Sequence, residues 1–135
     1  MALSAAELKK VACAAIDTAS DDLNQLSQDL WNNPELAFQE KYAHERLCTF
    51  LQNYDFPMER NYILDTAFRS KIKCGTGPNV ALLCEYDALP DIGHACGHNL
   101  IAEVGVGASL GVKAALDKAR EHGQDLGQVS LLNVF

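Results

Sequence analysis

Hydrophobic residues in the first thirty positions recur three or four apart, which is the period of an amphipathic helix. They are Leu8, Val11, Ala15, Ala19, Leu23, Leu26 and Leu30. Ser4 followed by Glu7 predicts a capping box at the start of this helix, and Pro34 predicts its end at about Asn32. We expect an irregularity near the polar residues 20–22.

The same period predicts a second helix from about Phe38 to Tyr54. The residues expected to face inward are Tyr42, Leu47, Phe50 and Leu51. Trp31 lies at the junction between the two predicted helices, and we interpret it as a core residue rather than a platform for a cofactor.

The pattern changes to that of strands in the middle of the chain. Residues 60–64 and 67–73 read as half-exposed strands, and Gly75-Thr76-Gly77-Pro78 as a turn. The continuous apolar run Val80 to Cys84 predicts a fully buried strand. A helix is expected from Leu100 to about His122, with Gly123 as its stop signal, and residues 128–135 read as a last buried strand.

The resulting order, α-α-β-β-β-α-β, predicts a layered α/β fold. With 135 residues, 48% of them hydrophobic and 21% charged, the chain is long enough for one globular core. No repeat or linker divides it, so we expect one domain or part of one. The last predicted strand would be central with nothing following it, which suggests a fold that continues beyond Phe135.

Charge and cysteine content exclude some classes of function. A net charge of −7 repels phosphate backbones, so nucleic acid is not expected as a partner. We see no apolar run of the roughly 18 residues needed to span a membrane, and the first ten residues lack the apolar core of a signal peptide. We therefore expect an intracellular protein, cytoplasmic or nuclear, whose five cysteines are mostly free thiols.

The candidate chemistry lies in one loop directly after the apolar run 80–84. The loop contains Glu85, Asp87, Asp91, His94, Cys96 and His98. Sites in layered α/β folds form beyond the carboxyl ends of strands, where this loop is expected. Thiolate, imidazole and carboxylate groups are ligands for zinc-like ions, and a carboxylate can also orient a histidine through its second ring nitrogen.

In this loop Cys96 and His98 flank Gly97, whose backbone freedom would let both side chains converge on one ion. A helix beginning near Asn99 would add its positive dipole end. A structural role also remains open for each residue. Cys96 can be a small buried side chain, His94 or His98 a capping or core histidine, and Asp87 and Asp91 turn residues on either side of Pro90.

A second pattern, the glycines 105, 107 and 111, is similar to a dinucleotide-binding motif. These glycines lie inside a predicted helix rather than between a strand and a helix, and the third is displaced by one position. We therefore interpret them as sites of close packing between the helix and the sheet.

The segment E-Y-D-A-L-P-D-I-G-H-A-C-G-H-N-L, from Glu85 to Leu100, resembles the M20 family of metallopeptidases and amidohydrolases, in its aminoacylase/carboxypeptidase-like branch. The segment Trp31 to Glu40 is similar to the junction of the family's N-terminal helices. The resemblance implies a two-metal centre holding zinc or manganese, with Cys96 and His98 at metal-ligand positions. It also implies that Asp87 is a supporting acid of the catalytic site. Glu85 takes a position where other branches carry a metal-binding histidine.

The resemblance implies hydrolysis of amide bonds in small dipeptides or N-acyl amino acids, with dipeptides ending in a basic residue as one option. Homo-oligomers are compatible with it. The family's general base belongs to an adjacent acidic pair after the last predicted strand, and residues 1–135 include neither that pair nor a lid domain. We therefore expect a truncated N-terminal portion of a catalytic domain. The alternative is a catalytically inactive chain that associates with a full-length relative.

Overall fold

The computed structural model describes residues 1–133, which form four helices and a four-stranded sheet. In chain order the elements are α1 (Ala5–Thr18), α2 (Ser20–Asn32), α3 (Lys41–Asn53), β1 (Glu59–Arg60), β2 (Phe68–Cys74), β3 (Asn79–Cys84), α4 (His98–Glu121) and β4 (Gly127–Asn133). This order matches the predicted α-α-β-β-β-α-β arrangement and confirms the α/β fold class.

The N-terminal helical region is interrupted at Ala19, next to the predicted irregularity. The capping box is present, since the Ser4 side chain accepts from the Glu7 backbone and the Glu7 carboxylate accepts from the Ser4 backbone. The apolar stripe is buried only in α2, through Leu23, Leu26 and Leu30. Trp31 is 51% exposed, so its interpretation as a core residue was wrong.

The helix α3 begins three residues later than predicted. Phe38 has a left-handed backbone (φ 66°) and cannot continue into a right-handed helix. The carboxylate of Glu35 instead accepts hydrogen bonds from the first free backbone N–H groups of α3, at Tyr42 (3.1 Å) and Ala43 (2.9 Å). Tyr42 is exposed rather than inward-facing, whereas the predicted burial of Leu47, Phe50 and Leu51 is confirmed.

The sheet has the strand order β1-β2-β4-β3. β2 pairs antiparallel with both β1 and β4, while β3 and β4 are parallel and joined through α4. The strand predicted at 60–64 was wrong beyond Arg60, because Asn61 and Ile63 have positive φ angles that no strand accepts. The last two residues of the strand predicted at 128–135 lie outside the described residues.

The apolar strand β3 lies at an edge of the sheet, so its predicted full burial was wrong. It pairs only with β4 among the described residues, and Val80 and Leu83 are each more than half exposed. Only its last residue, Cys84, is fully buried. Burial raises the pKa of Cys84 to about 12, so this thiol stays protonated and behaves as a core residue.

The helix α4 packs closely on the carboxyl end of β3. A Cβ added at Gly105 would lie 3.0 Å from the Cβ of Cys84 and 3.3 Å from the carbonyl oxygen of Leu83. This confirms close packing as the role of that glycine. Gly123, with φ 70°, follows the end of the helix as predicted.

In length and hydropathy alone, α4 could cross a membrane, which corrects the expectation that no segment reaches that length. Half of its apolar window is buried inside the fold, as in the core helix of a globular domain. The core that it shares with α2, α3 and the sheet includes Leu26, Leu47, Phe68 and Leu131.

Candidate metal centre

The loop between β3 and α4 is attached to the segment that precedes α3. The backbone N–H of Ala88 donates to the carbonyl of Glu35 (2.7 Å), and Leu36 and Ala88 form a parallel bridge. Further along, Leu89 and Gly93 exchange two backbone hydrogen bonds and close a short turn. The two segments that resemble the M20 family, 31–40 and 85–100, therefore contact each other directly.

The loop ends at Gly97, which has a left-handed backbone (φ 79°) and precedes the first residue of α4, His98. An added Cβ there would have no neighbour within 4 Å, so the backbone angle and not the available space favours glycine. This confirms the predicted need for backbone freedom between Cys96 and His98. The helix begins one residue before the predicted position.

Three side chains converge where β3 ends and α4 begins. Glu85, Asp87 and His98 each offer a ligating atom, and these atoms lie within 4.8 Å of one another. The imidazole lies between the two carboxylates, with Nδ1 2.7 Å from Asp87 Oδ1 and Nε2 3.0 Å from Glu85 Oε2. All three side chains are partly exposed, so the cluster is open to solvent.

This donor set fits a divalent ion such as zinc or manganese, since imidazole and carboxylate oxygens are ordinary ligands of both. With its proton on Nδ1, His98 donates to Asp87 and leaves the Nε2 lone pair facing Glu85. In that arrangement Asp87 orients the ring, while Nε2 and the Glu85 carboxylate would hold the ion.

The other predicted site residues lie around this cluster. The Sγ atom of Cys96 is exposed, 3.8 Å from the backbone oxygen of Asp87, but is not part of the convergent group. Asp91 is exposed in the turn and has a positive φ of 66°, a conformation that aspartate tolerates. The assignment of Cys96 and His98 as metal ligands stays a prediction, as does the supporting role of Asp87.

His94 lies behind the loop and is only 3% exposed. Its Nδ1 atom has no hydrogen-bond partner among the described residues. Burial lowers the pKa of His94, and the neighbouring His98 lowers it further, so the neutral imidazole is favoured. His94 thus has the surroundings of a core histidine, one of the alternatives left open from the sequence.

Sequence reasoning assigned no role to Tyr86, Thr66 or Glu40, which form a buried network under the cluster. One signal was available for Tyr86. In an extended segment successive side chains alternate, so a residue between two acids that face a site points into the core. The contact between Tyr86 and Thr66, twenty positions apart, had no such signal.

The fold has been seen before in solved structures. A Staphylococcus aureus protein described as an aminohydrolase superposes with a TM-score of 0.73 at 18% identity, over 93% of this chain and 34% of its own. A dinuclear metal-binding peptidase of the M20 family from Bacillus subtilis gives 0.68 at 23% identity, over 87% and 35%. The fold is therefore that of the N-terminal part of an M20 peptidase.

Curated proteins add similarity in sequence. The chain is 47% identical to the Xaa-Arg dipeptidase of Mus musculus over 127 residues and 44% identical to that of Homo sapiens over 123. These matches cover 84% and 82% of this chain. In both sequence and fold, the chain is thus related to the N-terminal part of M20 peptidases such as the Xaa-Arg dipeptidases.

A more distant relative is a p-aminobenzoyl-glutamate hydrolase polypeptide from Escherichia coli, with 29% identity over 127 residues. No protein-family profile matches the chain. The chain spans about 30% of the length of the curated relatives it matches.

Proposed function

We propose that the chain forms one wall of the metal centre of an M20-type dipeptidase, an enzyme that hydrolyses the amide bond of small dipeptides. The observation that carries this proposal is the convergence of Glu85, Asp87 and His98 at the carboxyl end of β3. The names of the two mammalian relatives support a dipeptide with arginine, or another basic residue, at its C-terminus.

Within this proposal, His98 and Glu85 hold a zinc or manganese ion, Asp87 fixes the imidazole, and Cys96 is a further candidate ligand. A divalent ion in such a site polarises an amide carbonyl and lowers the pKa of a bound water. The start of α4 directs its positive dipole end toward the same place, which favours a negatively charged group there. The ligand is thus a small dipeptide or N-acyl amino acid rather than a nucleic acid.

Isothermal titration of the purified, metal-free chain with Zn²⁺ and Mn²⁺ tests the site. We expect saturable binding that His98→Ala removes and that Asp91→Asn, which changes an exposed acid of the same loop, leaves unchanged. Equal binding by the wild type and His98→Ala would contradict the proposed site.

Hydrolysis of alanyl-arginine, with alanyl-glutamate as the matched acidic substrate, tests the activity of the metal-loaded chain. Turnover of the arginine dipeptide that is lost in His98→Ala supports the dipeptidase. Turnover of the acidic dipeptide at the same rate would contradict the preference for a basic residue. Since residues 1–135 include no candidate for the family's general base, we expect this turnover to be slow.

A second candidate function is association with a full-length relative, without catalysis by this chain. It is favoured by the free edge of β3, where backbone groups and the apolar side chains of Val80 and Leu83 are exposed. Metal binding without any turnover would favour this candidate. Size-exclusion chromatography with and without a full-length Xaa-Arg dipeptidase would then show a joint peak, and two separate peaks would exclude it.

A further inference from the structure

We propose that Tyr86 is a positioning residue of the metal centre, which holds Glu85 and Asp87 in the direction of His98 through a buried network with Thr66 and Glu40. The inference rests on the proposed metal centre and adds to it the residues that determine its geometry. Tyr86 itself faces away from the cluster and touches none of the three converging groups through its hydroxyl.

Burial alternates along the three residues that follow β3. Tyr86 is 1% exposed, whereas the side chains of Glu85 and Asp87 are 33% and 20% exposed. Consecutive side chains of an extended segment point to opposite sides. The side on which Tyr86 lies therefore determines the side on which both acids lie.

Two contacts fix the Tyr86 side chain in the core. Its ring stacks on Phe68 of β2, with centroids 6.2 Å apart and planes within 2° of parallel. Its hydroxyl donates a hydrogen bond to the backbone carbonyl of Thr66. Burial raises the pKa of this hydroxyl, so it remains a donor at all physiological pH values.

The acceptor end of this network is itself held. The Thr66 hydroxyl donates to Oε2 of Glu40 (2.8 Å), and both residues are buried. The second carboxylate oxygen of Glu40 has no hydrogen-bond partner among the described residues, although the side chain is fully buried. A buried acceptor without a partner costs stability, so this is an expensive way to fix a loop by comparison with apolar packing.

The same segment is held a second time, two residues further on, by the hydrogen bond from Ala88 to the Glu35 carbonyl. Asp87 lies between the two attachments at residues 86 and 88. Because metal-site geometry tolerates little displacement, loosening one attachment should weaken metal binding more than an equal loss of stability elsewhere would.

The matched pair Tyr86→Phe and Tyr54→Phe tests this inference. Each variant removes one phenol hydroxyl and one hydrogen bond, but Tyr54 bonds Asp22, with 2.6 Å between the oxygens, at the exposed surface of the helical layer. Thr66→Val, of the same shape, is a second variant that removes the bond to Glu40. The measured quantities are the dissociation constants for Zn²⁺ and Mn²⁺, with thermal denaturation as the stability reference.

We expect Tyr86→Phe to weaken metal binding by about threefold to tenfold, less than the roughly 10- to 100-fold typical of losing a direct partner of a ligand. Thr66→Val should act in the same direction, and Tyr54→Phe should bind as the wild type does. A lower melting temperature in Tyr86→Phe with unchanged metal affinity would overturn the inference, because the network would then be structural only.

A metal-independent measurement separates this inference from the proposed function. The ¹⁵N chemical shifts of the His98 ring at fixed pH report which nitrogen carries the proton, and therefore whether the bond to Asp87 is formed. If the wild type binds no metal, the proposed centre fails. A shift change in Tyr86→Phe that is absent from Tyr54→Phe would still support the positioning role, and identical shifts in all three proteins would refute it.

Discussion

Replacing Gly105 by alanine tests the packing that brings α4 against β3. The new Cβ would lie 3.0 Å from the Cβ of Cys84 and 3.3 Å from the Leu83 carbonyl oxygen. Both atoms are fixed to the strand backbone, so they cannot move aside by a change of rotamer. The helix and the strand must separate by a few tenths of an ångström, at the point from which Glu85 and His98 extend.

The magnitude follows from two opposing effects. Alanine is favoured over glycine in a helix interior by about 1 kcal/mol. Overpacking of a tight contact costs about 1–3 kcal/mol, so we expect Gly105→Ala to lower the free energy of unfolding by about 1 kcal/mol net. Gly107→Ala is the matched control, because its Cβ meets only a flexible methyl of Leu23 at the ordinary distance of 3.4 Å. It should stabilise by up to about 1 kcal/mol.

Thermal denaturation followed by circular dichroism measures both variants. For a chain of 135 residues a change of 1 kcal/mol corresponds to about 4 °C, so the two melting temperatures should differ by about 8 °C with opposite signs relative to the wild type. Equal shifts of the same sign would refute the reasoning, because they would show that α4 has as much space at Gly105 as at Gly107.

Three further predictions concern the loop and its surroundings. Asp87→Asn should weaken binding of Zn²⁺ in calorimetry by about 10- to 100-fold, because it removes the charge that holds the His98 ring, while Asp91→Asn should not. Gly97→Ala should lower the free energy of unfolding in urea by about 1 kcal/mol, and Gly97→Asn by less, because asparagine tolerates a positive φ; equal losses would contradict this. Backbone hydrogen bonds from Thr76 and Gly127 hold the pKa of Asp125 below its ordinary value. Its contribution to stability is thus present above the ordinary pKa, about 3.9, and is lost as the pH falls through the lower folded-state pKa. The melting-temperature loss in Asp125→Asn should therefore be large at pH 7 and shrink in acid, and a pH-independent loss would be the contrary result.

Local patterns were sufficient for the helices, the later strands and the position of the candidate site. The capping box, the break beside residues 20–22 and the stop at Gly123 depend on neighbouring residues, whose preferences act over one or two turns. The site lies after β3 because carboxyl ends of strands and the following helix starts meet at one edge of a sheet. Both facts were available from the order of residues.

Errors arose where distant segments decide the outcome. The pattern of residues 60–64 is that of a strand, yet the chain turns there through positive φ angles at Asn61 and Ile63. The apolar run of β3 predicts burial on both faces, but burial also depends on which strand pairs at its free edge. For the same reason Trp31 and Tyr42 were placed in the core, although no element of the described fold covers them.

The types of residue that could bind a metal followed from the sequence, because Glu85, Asp87, Cys96 and His98 lie within fourteen positions of one another. Which of them converge followed only from the folded chain. The turn at Gly97 and the start of α4 bring His98 between the two acids, while Tyr86 is drawn into the core by residues 40, 66 and 68. Side-chain direction depends on packing between segments far apart in the chain, and sequence spacing carries no record of that packing.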